Sequence, residues 1–308
     1  MDRWLYNAGV VLSPPRGADL VVGFDLDGFL WARRRSLPFV ASLKGIVADE
    51  ASNERGWVRR LLGIQARWER ENTRRADLVV VTSRYSAEVA QREYGVPAAR
   101  LAIVPEAIDV ERWQADFARA PRRHRTGPTV LCVARMYPRK RIGDLLRAGA
   151  ALKARIPGLQ IRVVGRGPEW AALHRLHAEL GLGESAVLLG DVSREGLTEE
   201  YVNADCFCLP TVQEGFGIVF LEAMSAGLPV VSCRAAAVPE LVLDGRTGVL
   251  TPARDPAALA AALESVLSRP ERARELGEAG RRWAAGFTPE RVAERFLEAV
   301  HSLVEGKR

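Results

Sequence analysis

Short apolar runs alternate with amphipathic stretches along almost the whole chain. In the first third the runs fall at 20–24 (Leu20, Val21, Val22, Gly23, Phe24), 39–43 and 78–82. They are continuous rather than alternating and rich in β-branched residues, which suits strands covered on both faces of a parallel sheet. Between them, 57–75 carries charged and apolar residues at helical spacing, and 86–94 reads as a helix stopped by Gly95 and Pro97. The rhythm breaks over 119–128, a polar stretch punctuated by Pro121, Gly127 and Pro128 that predicts a linker. It restarts with strands at 130–134, 160–164, 186–189, 206–210 and 229–233, separated by helices near 141–155, 169–180, 195–204 and 217–226. This repetition predicts a doubly wound unit that takes its ligands at the carboxyl ends of the strands. The tail, 256–308, is helical in pattern, with Pro289 at a helix start and Val292, Phe296 and Val300 four apart. Two α/β units are expected, 1–122 and 128–308. The first offers only about four strands and no strand, glycine loop and helix opening within 1–18. A doubly wound unit without its first βαβ pieces leaves apolar sheet edge and face to be covered.

Composition narrows the class. The chain has 308 residues, 48% of them hydrophobic, and a mean hydropathy of −0.05, the profile of a soluble globular protein. No apolar run approaches the roughly 20 residues needed to cross a bilayer. The opening Met1-Asp2-Arg3-Trp4 lacks the charged-then-apolar layout of a secretory leader, so the cytoplasm is the expected location. Cys132, Cys206, Cys208 and Cys233 all lie in apolar runs with no His nearby, which predicts core thiols and no metal site. The net charge of +6 comes with arginine clusters at 33–35, 59–60, 74–75 and 119–125. Such a surplus serves nucleic acid, an anionic membrane face or a phosphorylated ligand, or simply coats solvated faces. No helix-turn-helix, RNP or OB signature accompanies it, and nucleic acid is not the expected partner.

Three stretches carry candidate chemistry. The first runs from Leu209-Pro210 through Glu214, Gly215, Phe216, Gly217 and Ile218 to Glu222. It reads as a strand end, a glycine-bearing loop and a helix opening, where first-turn N–H groups suit a phosphate. Glu222 falls on an otherwise apolar helix face, where a carboxylate must be paired or hydrogen-bonded. A tight turn with a salt-bridged Glu fits the same residues. The second is Val133-Ala134-Arg135-Met136-Tyr137-Pro138-Arg139-Lys140, either a pair of phosphate-binding cations or a basic loop. The third is Val164-Gly165-Arg166-Gly167, a strand-to-helix turn.

Taken together and in order, from 130 to the C-terminal helix, these motifs resemble the retaining glycosyltransferases of the GT-B fold, family 4 (glycosyl transferases group 1). Leu189-Gly190-Asp191, Pro239-Glu240 and Gly245-Arg246-Thr247-Gly248 agree with the same family. The resemblance implies an α/β architecture of two Rossmann-like doubly wound parallel-sheet domains facing across a cleft, the first incomplete here. It implies transfer of a hexose from a UDP- or GDP-linked sugar to a hydroxyl acceptor with retention and without a metal or other cofactor. Glu214 and Glu222 match the family's Glu-x7-Glu pattern, which places Glu214 at the donor sugar and Glu222 at the ribose. The backbone of Gly217 and Ile218 would take the distal phosphate, with Gly215, Phe216 and Gly165 beside the donor. Arg135 and Lys140 match the family's diphosphate-binding Arg and Lys. The acceptor class is a sugar, a lipid-linked sugar or a small molecule, and basic N-terminal faces raise the expectation of a peripheral contact with anionic lipid.

The chain departs from the family at four places. The family's N-terminal His has no counterpart: the four histidines are His124, His174, His177 and His301. Asp25 or Asp27 occupies its place, either as a catalytic carboxylate or, the favoured reading, as a cap of the following helix. The usual Asn-Gly-x-Asp is Glu106-Ala107-Ile108-Asp109, and the Gly-Gly before Pro-Glu is Ala237-Val238. The family's opening strand, glycine-rich loop and next βα units are missing from the pattern, which reads as a truncated reading frame, a fragment or a natural minimal form. A non-catalytic nucleotide-sugar binder is the main alternative, ahead of a sugar-nucleotide epimerase and a nucleic-acid binder.

Overall fold

The computed structural model of the chain describes residues 2–12, 17–33 and 37–305, so Arg34 and Arg35 of the first arginine cluster lie outside it. Backbone contacts divide the chain into two units, Met1–Glu106 with Glu290–Arg308, and Ala107–Pro289.

In the first unit, α1 (Asp2–Leu12) precedes β1 (Val21–Phe24). Then come β2 (Phe39–Leu43), α2 (Val47–Ser52), α3 (Gly56–Arg75), β3 (Leu78–Val81), α4 (Arg84–Val89) and β4 (Leu101–Ile103). All four strands are parallel and stand in chain order, with Val22 beside Val40 and Val40 beside Leu78. β2 and β3 are buried at every residue, which is why their sequences are apolar without alternation. One sheet face packs under Trp31, Val89, Ala90 and Tyr94. The other, built from Val40, Leu78, Val80 and Val104, receives Val300 together with Val292 and Phe296 of the last helix. Those three positions are the fourfold apolar row expected of that helix. Ser83 caps α4 by accepting from the N–H of Ser86, and the helix ends through a π turn at Gly95 with φ 68°.

The second unit runs α5 (Val110–Arg119), β5 (Thr129–Val133), α6 (Ile142–Leu152), β6 (Gln160–Val164), α7 (Trp170–Glu179), β7 (Ala186–Gly190) and α8 (Arg194–Val202). It continues with β8 (Cys206–Leu209), α9 (Ile218–Ser225), β9 (Val230–Cys233), α10 (Val238–Leu241), β10 (Gly248–Thr251), α11 (Pro256–Leu267) and α12 (Pro270–Ala284). The last helix, α13 (Pro289–Glu305), returns to the first unit. The six strands are parallel in the order β10-β9-β8-β5-β6-β7, the doubly wound sheet that the βα rhythm predicts. The four cysteines are buried core thiols, and burial pushes Cys132 up to about 12.

The unit boundary differs from the expected one, and α5 is the reason. Trp113 of α5 meets Tyr201 edge-on with ring centroids 5.6 Å apart, and Phe117 lies beside both. That fastens α5 to the second unit. The polar stretch read as a linker is anchored there as well: the Arg123 N–H donates to Asn203 Oδ1 at 2.8 Å, its guanidinium pairs with Glu199 and Glu200, and Arg125 pairs with Asp205. Its polarity reflects a surface laced with ion pairs. The tail divides too, since α11 and α12 stay with the second sheet while α13 covers the first.

The first unit buries one carboxyl group completely. Glu69 of α3 accepts from the N–H of Val47 (2.9 Å) and from the Tyr94 hydroxyl through Oε2, while Oε1 has no partner. Burial pushes its pKa up to about 7, against the pull of those two hydrogen bonds. The native carboxyl therefore keeps its proton up to about pH 7, whereas the unfolded one loses it near 4.5. Between those values the native state binds more protons, so stability falls as pH rises, by on the order of 3 kcal/mol in all. Urea titrations should show unfolding free energy declining from pH 5 to pH 8, and Glu69→Gln should flatten that decline. An unchanged slope in the variant would assign the titration to another group.

Candidate functional site

Strand order in the second sheet reverses between β5 and β8, with β6 and β7 running to one side and β9 and β10 to the other. A crevice opens at such a switch point because the helices leave the two strands in opposite directions. Here the loops after β5 and β8 are tied together across it. The N–H of Val212 donates to the Arg139 carbonyl at 2.9 Å, and the fully buried Thr211 hydroxyl donates to the same oxygen at 3.2 Å. The loop after β6 closes from the other side: Ala134 N–H donates to Val164 O at 3.0 Å and Met136 N–H to Arg166 O at 3.1 Å. Gly165 makes that approach feasible. Its φ is 114°, and a Cβ there would lie 2.2 Å from the Ala134 carbonyl oxygen. The loop after β9 joins through Ala237 N–H, which donates to Glu214 O at 3.3 Å.

Two charges meet at this junction. Lys140 Nζ and Glu214 Oε1 form a direct ion pair, with side chains only 13% and 10% exposed. Lys140 is held by its successor. Arg141 adopts a left-handed φ of 55° and makes a two-pronged contact with the buried Asp144, at 2.8 and 2.9 Å. A non-glycine residue in that conformation is strained, and such strain collects where a loop must present a particular side chain. Arg135, at the end of β5, is exposed, so one cation faces solvent and the other is paired. Glu214 is followed by Gly215, Phe216 and Gly217, and Gly217, at φ 95°, opens α9. A Cβ at Gly217 would press on the Phe220 ring at 2.7 Å. Phe216 is buried edge-on to Phe287, a packing role, while Ile218 is exposed at the helix start.

Glu222 lies one turn further on, and its Oε2 accepts from the Tyr201 hydroxyl of α8 at 2.8 Å. Burial raises its pKa, while that hydrogen bond and the charge of Arg194 pull the other way. Arg135, Lys140, Gly165, Glu214, Gly215, Phe216, Gly217 and Ile218 thus share one edge of the sheet. Glu222 is engaged between α8 and α9. Tyr201, Thr211 and Asp144 are positioning residues the sequence reading missed. Only the three-residue spacing of Arg141 and Asp144 gave a local hint of one of them.

Asp25 and Asp27 belong to the first unit and do something other than cap a helix. Asp25, at φ 53°, accepts from the N–H of Lys44 at 2.9 Å, and Asp27 accepts from Asn7 at 3.1 Å. Asp25 latches the loop after β2 and Asp27 latches α1; neither caps a following helix, because the residues after them form turns and a short 3-10 segment. Asp25 also lines a cavity of about 320 Å³ with Lys44, Glu50 and Gln65, beyond the carboxyl ends of β1 and β2. Among the described residues, no three His, Cys, Asp or Glu side chains gather as a metal site requires.

Residues 114–283 match the family described as Glycosyl transferases group 1, and residues 15–112 match Glycosyltransferase Family 4. The chain belongs to this glycosyltransferase family. Among curated relatives it is 36% identical to a GDP-mannose-dependent alpha-(1-6)-phosphatidylinositol monomannoside mannosyltransferase of Mycolicibacterium smegmatis, over 79% of this chain and 66% of that protein. It is 35% identical to a D-inositol 3-phosphate glycosyltransferase of Geodermatophilus obscurus, over 75% of this chain and 53% of that one. The chain therefore spans between half and two thirds of the length of these relatives. Sucrose-phosphate synthase from Thermosynechococcus elongatus superimposes with a TM-score of 0.79 at 23% identity, covering 98% of this chain and 77% of that one. Anabaena HepE in complex with UDP gives 0.75 at 20% identity, covering 96% and 82%. These likenesses show the GT-B fold.

The loop junction of the second unit rests on Gly165, and that can be measured. Gly165→Ala adds left-handed strain of about 1–3 kcal/mol to a clash with backbone that cannot move aside. Gly245→Ala, at φ 71° with open space around it, adds the strain alone. Urea unfolding should show the Gly165 variant clearly the less stable of the two. Equal losses would mean that the β5 and β6 loops do not depend on this contact.

Proposed function

We propose that the chain transfers a hexosyl group from a nucleoside diphosphate sugar to a hydroxyl acceptor with retention at the anomeric carbon. The observation that carries this reading is the Lys140–Glu214 pair at the switch point, beside the Gly217 helix start. Lys140 and Arg135 stabilise the negative charge that builds on the departing diphosphate, which is why no metal is required. A diphosphate that takes over Lys140 releases the Glu214 carboxylate to accept from the sugar hydroxyls. The first N–H groups of α9, at Gly217 and Ile218, face the distal phosphate, and Glu222 serves the ribose. The bond between the anomeric carbon and the phosphate oxygen breaks. The acceptor oxygen forms the new bond on the same face, and its proton passes to the departing phosphate.

Both curated relatives act, by name, on inositol-containing acceptors, and one uses GDP-mannose. That supports GDP-mannose as the first donor to try, ahead of UDP-sugars, and an inositol-bearing acceptor, free or lipid-linked. A cytoplasmic enzyme working at a membrane face fits such an acceptor. No helix among the described residues is long and apolar enough to cross a membrane.

Diphosphate release from GDP- and UDP-sugars tests the reading. The wild-type chain should release diphosphate, and Lys140→Ala and Glu214→Ala should each reduce the rate roughly 10²–10³-fold, the scale for losing one transition-state contact. A second reading rests on Asp25 and Asp27, which stand where the family has its His and are engaged by Lys44 N–H and Asn7 instead: a nucleotide-sugar binder that does not transfer. Tight GDP-mannose binding with no release, alone or with acceptor, would establish that second reading.

A further inference from the structure

Helix α3 buries polar side chains toward its C-terminal end and leaves four large apolar ones exposed. Glu69, Asn72 and Thr73 are all essentially buried and bind backbone: Glu69 takes the Val47 N–H, Asn72 Nδ2 donates to the carbonyls of Asp25 and Asp27, and Thr73 donates to Arg70 O. On the outside stand Trp57 (72% exposed), Leu61 (44%), Ile64 (46%) and Trp68 (48%). Their spacing of four, three and four confines them to an arc of about 60° over roughly 16 Å of helix. A surface helix ordinarily shows the reverse arrangement, and a water-soluble face does not ordinarily collect four large apolar side chains in one row.

The row is bordered by charge of one sign. Arg59, Arg60, Arg67, Arg70 and Arg74 are all exposed. Of the helix's two acidic residues, Glu69 is buried and Glu71 is paired with Arg75 at 2.6 Å. We infer that α3 is a docking helix for an anionic phospholipid surface, lying in the interface with Trp57, Leu61, Ile64 and Trp68 among the acyl chains and the arginines among the headgroups. The chemistry at each position fits: indole rings at the two ends, aliphatic side chains between them, and guanidinium groups along the border. A second copy of the chain is the poorer occupant, since a two-fold contact through this row brings like-charged arginine borders together. Nucleic acid is poorer too, because Leu61 and Ile64 at the centre of the row offer nothing to phosphates or stacked bases.

The inward residues give the docking a consequence. Asn72 and Glu69 hold the loops that follow β1 and β2, so the helix that meets lipid also fixes the rim of the cavity lined by Asp25, Lys44 and Glu50. A lipid-linked substrate would then meet that cavity at the bilayer surface. The docking itself does not depend on the transfer reaction.

Flotation of the full chain with phosphatidylglycerol-containing and pure phosphatidylcholine vesicles tests it, with tryptophan emission recorded in parallel. Anionic vesicles should bind at least about tenfold more tightly than neutral ones, the preference should fade at high salt, and emission should shift to the blue. Leu61→Ser with Ile64→Ser should weaken binding about tenfold or more, and Arg60→Gln with Arg67→Gln should erase the preference for anionic lipid. All four residues are exposed and lie outside the donor loops, so diphosphate release in solution should be unchanged. No binding by the wild-type chain, or binding untouched by both double variants, would overturn the proposal. Self-association or duplex binding abolished by the serine pair, without vesicle binding, would assign the row to a second copy or to nucleic acid instead.

Discussion

The reversal of strand order between β5 and β8 is the constraint from which the candidate site follows. It leaves a gap where no helix crosses, and four loops fill it, each tied to the next by backbone hydrogen bonds or by the Thr211 hydroxyl. Lys140 and Glu214 then face one another with little solvent between them. A mostly buried ion pair gives little net stability, yet removal of either partner leaves an uncompensated charge. That asymmetry suits a site whose cation must exchange one anionic partner for another. Directly after Lys140, the strained Arg141 is fastened to the buried Asp144, which fixes the turn that carries the lysine.

Elements bounded by strong local signals were legible in the sequence. Continuous apolar runs marked β1 to β3 and β5 to β9, since a strand buried on both faces has no polar side to hide in the pattern, whereas the short, part-exposed β4 gave none. β10 does not read as a strand, because its Gly248 goes in pattern with the turn that precedes it. The motif residues of the second unit were legible because they sit at strand ends in a fixed order. What was not legible depended on contacts distant in sequence. Nothing near Glu222 announces Tyr201, and nothing near Asp25 announces Lys44 as its partner. The stretch at 119–128 was misread for the same reason: its charges look solvated until Glu199, Glu200 and Asp205 are brought beside them.

The arginine surplus, ambiguous as a bulk charge, divides into two kinds once partners are known. In the second unit much of it is structural. Glu200 is buried, yet the hydrogen bonds from Arg162 and Arg123 outweigh its burial and hold its pKa below the usual carboxylate range. Those guanidinium groups are committed to the fold and offer little to an outside anion. On α3 the balance differs, because one of the helix's two carboxyl groups is turned inward, where burial favours its neutral form, and the other is paired within the helix. Removing Glu69 from the surface does two things at once. It gives the inner loops an acceptor, and it leaves the outer face of α3 positive beside an apolar row. The buried polar residues and the exposed apolar row are therefore one arrangement seen from two sides: the residues that secure the β1 and β2 loops fix the rotation of α3 that leaves Trp57, Leu61, Ile64 and Trp68 exposed.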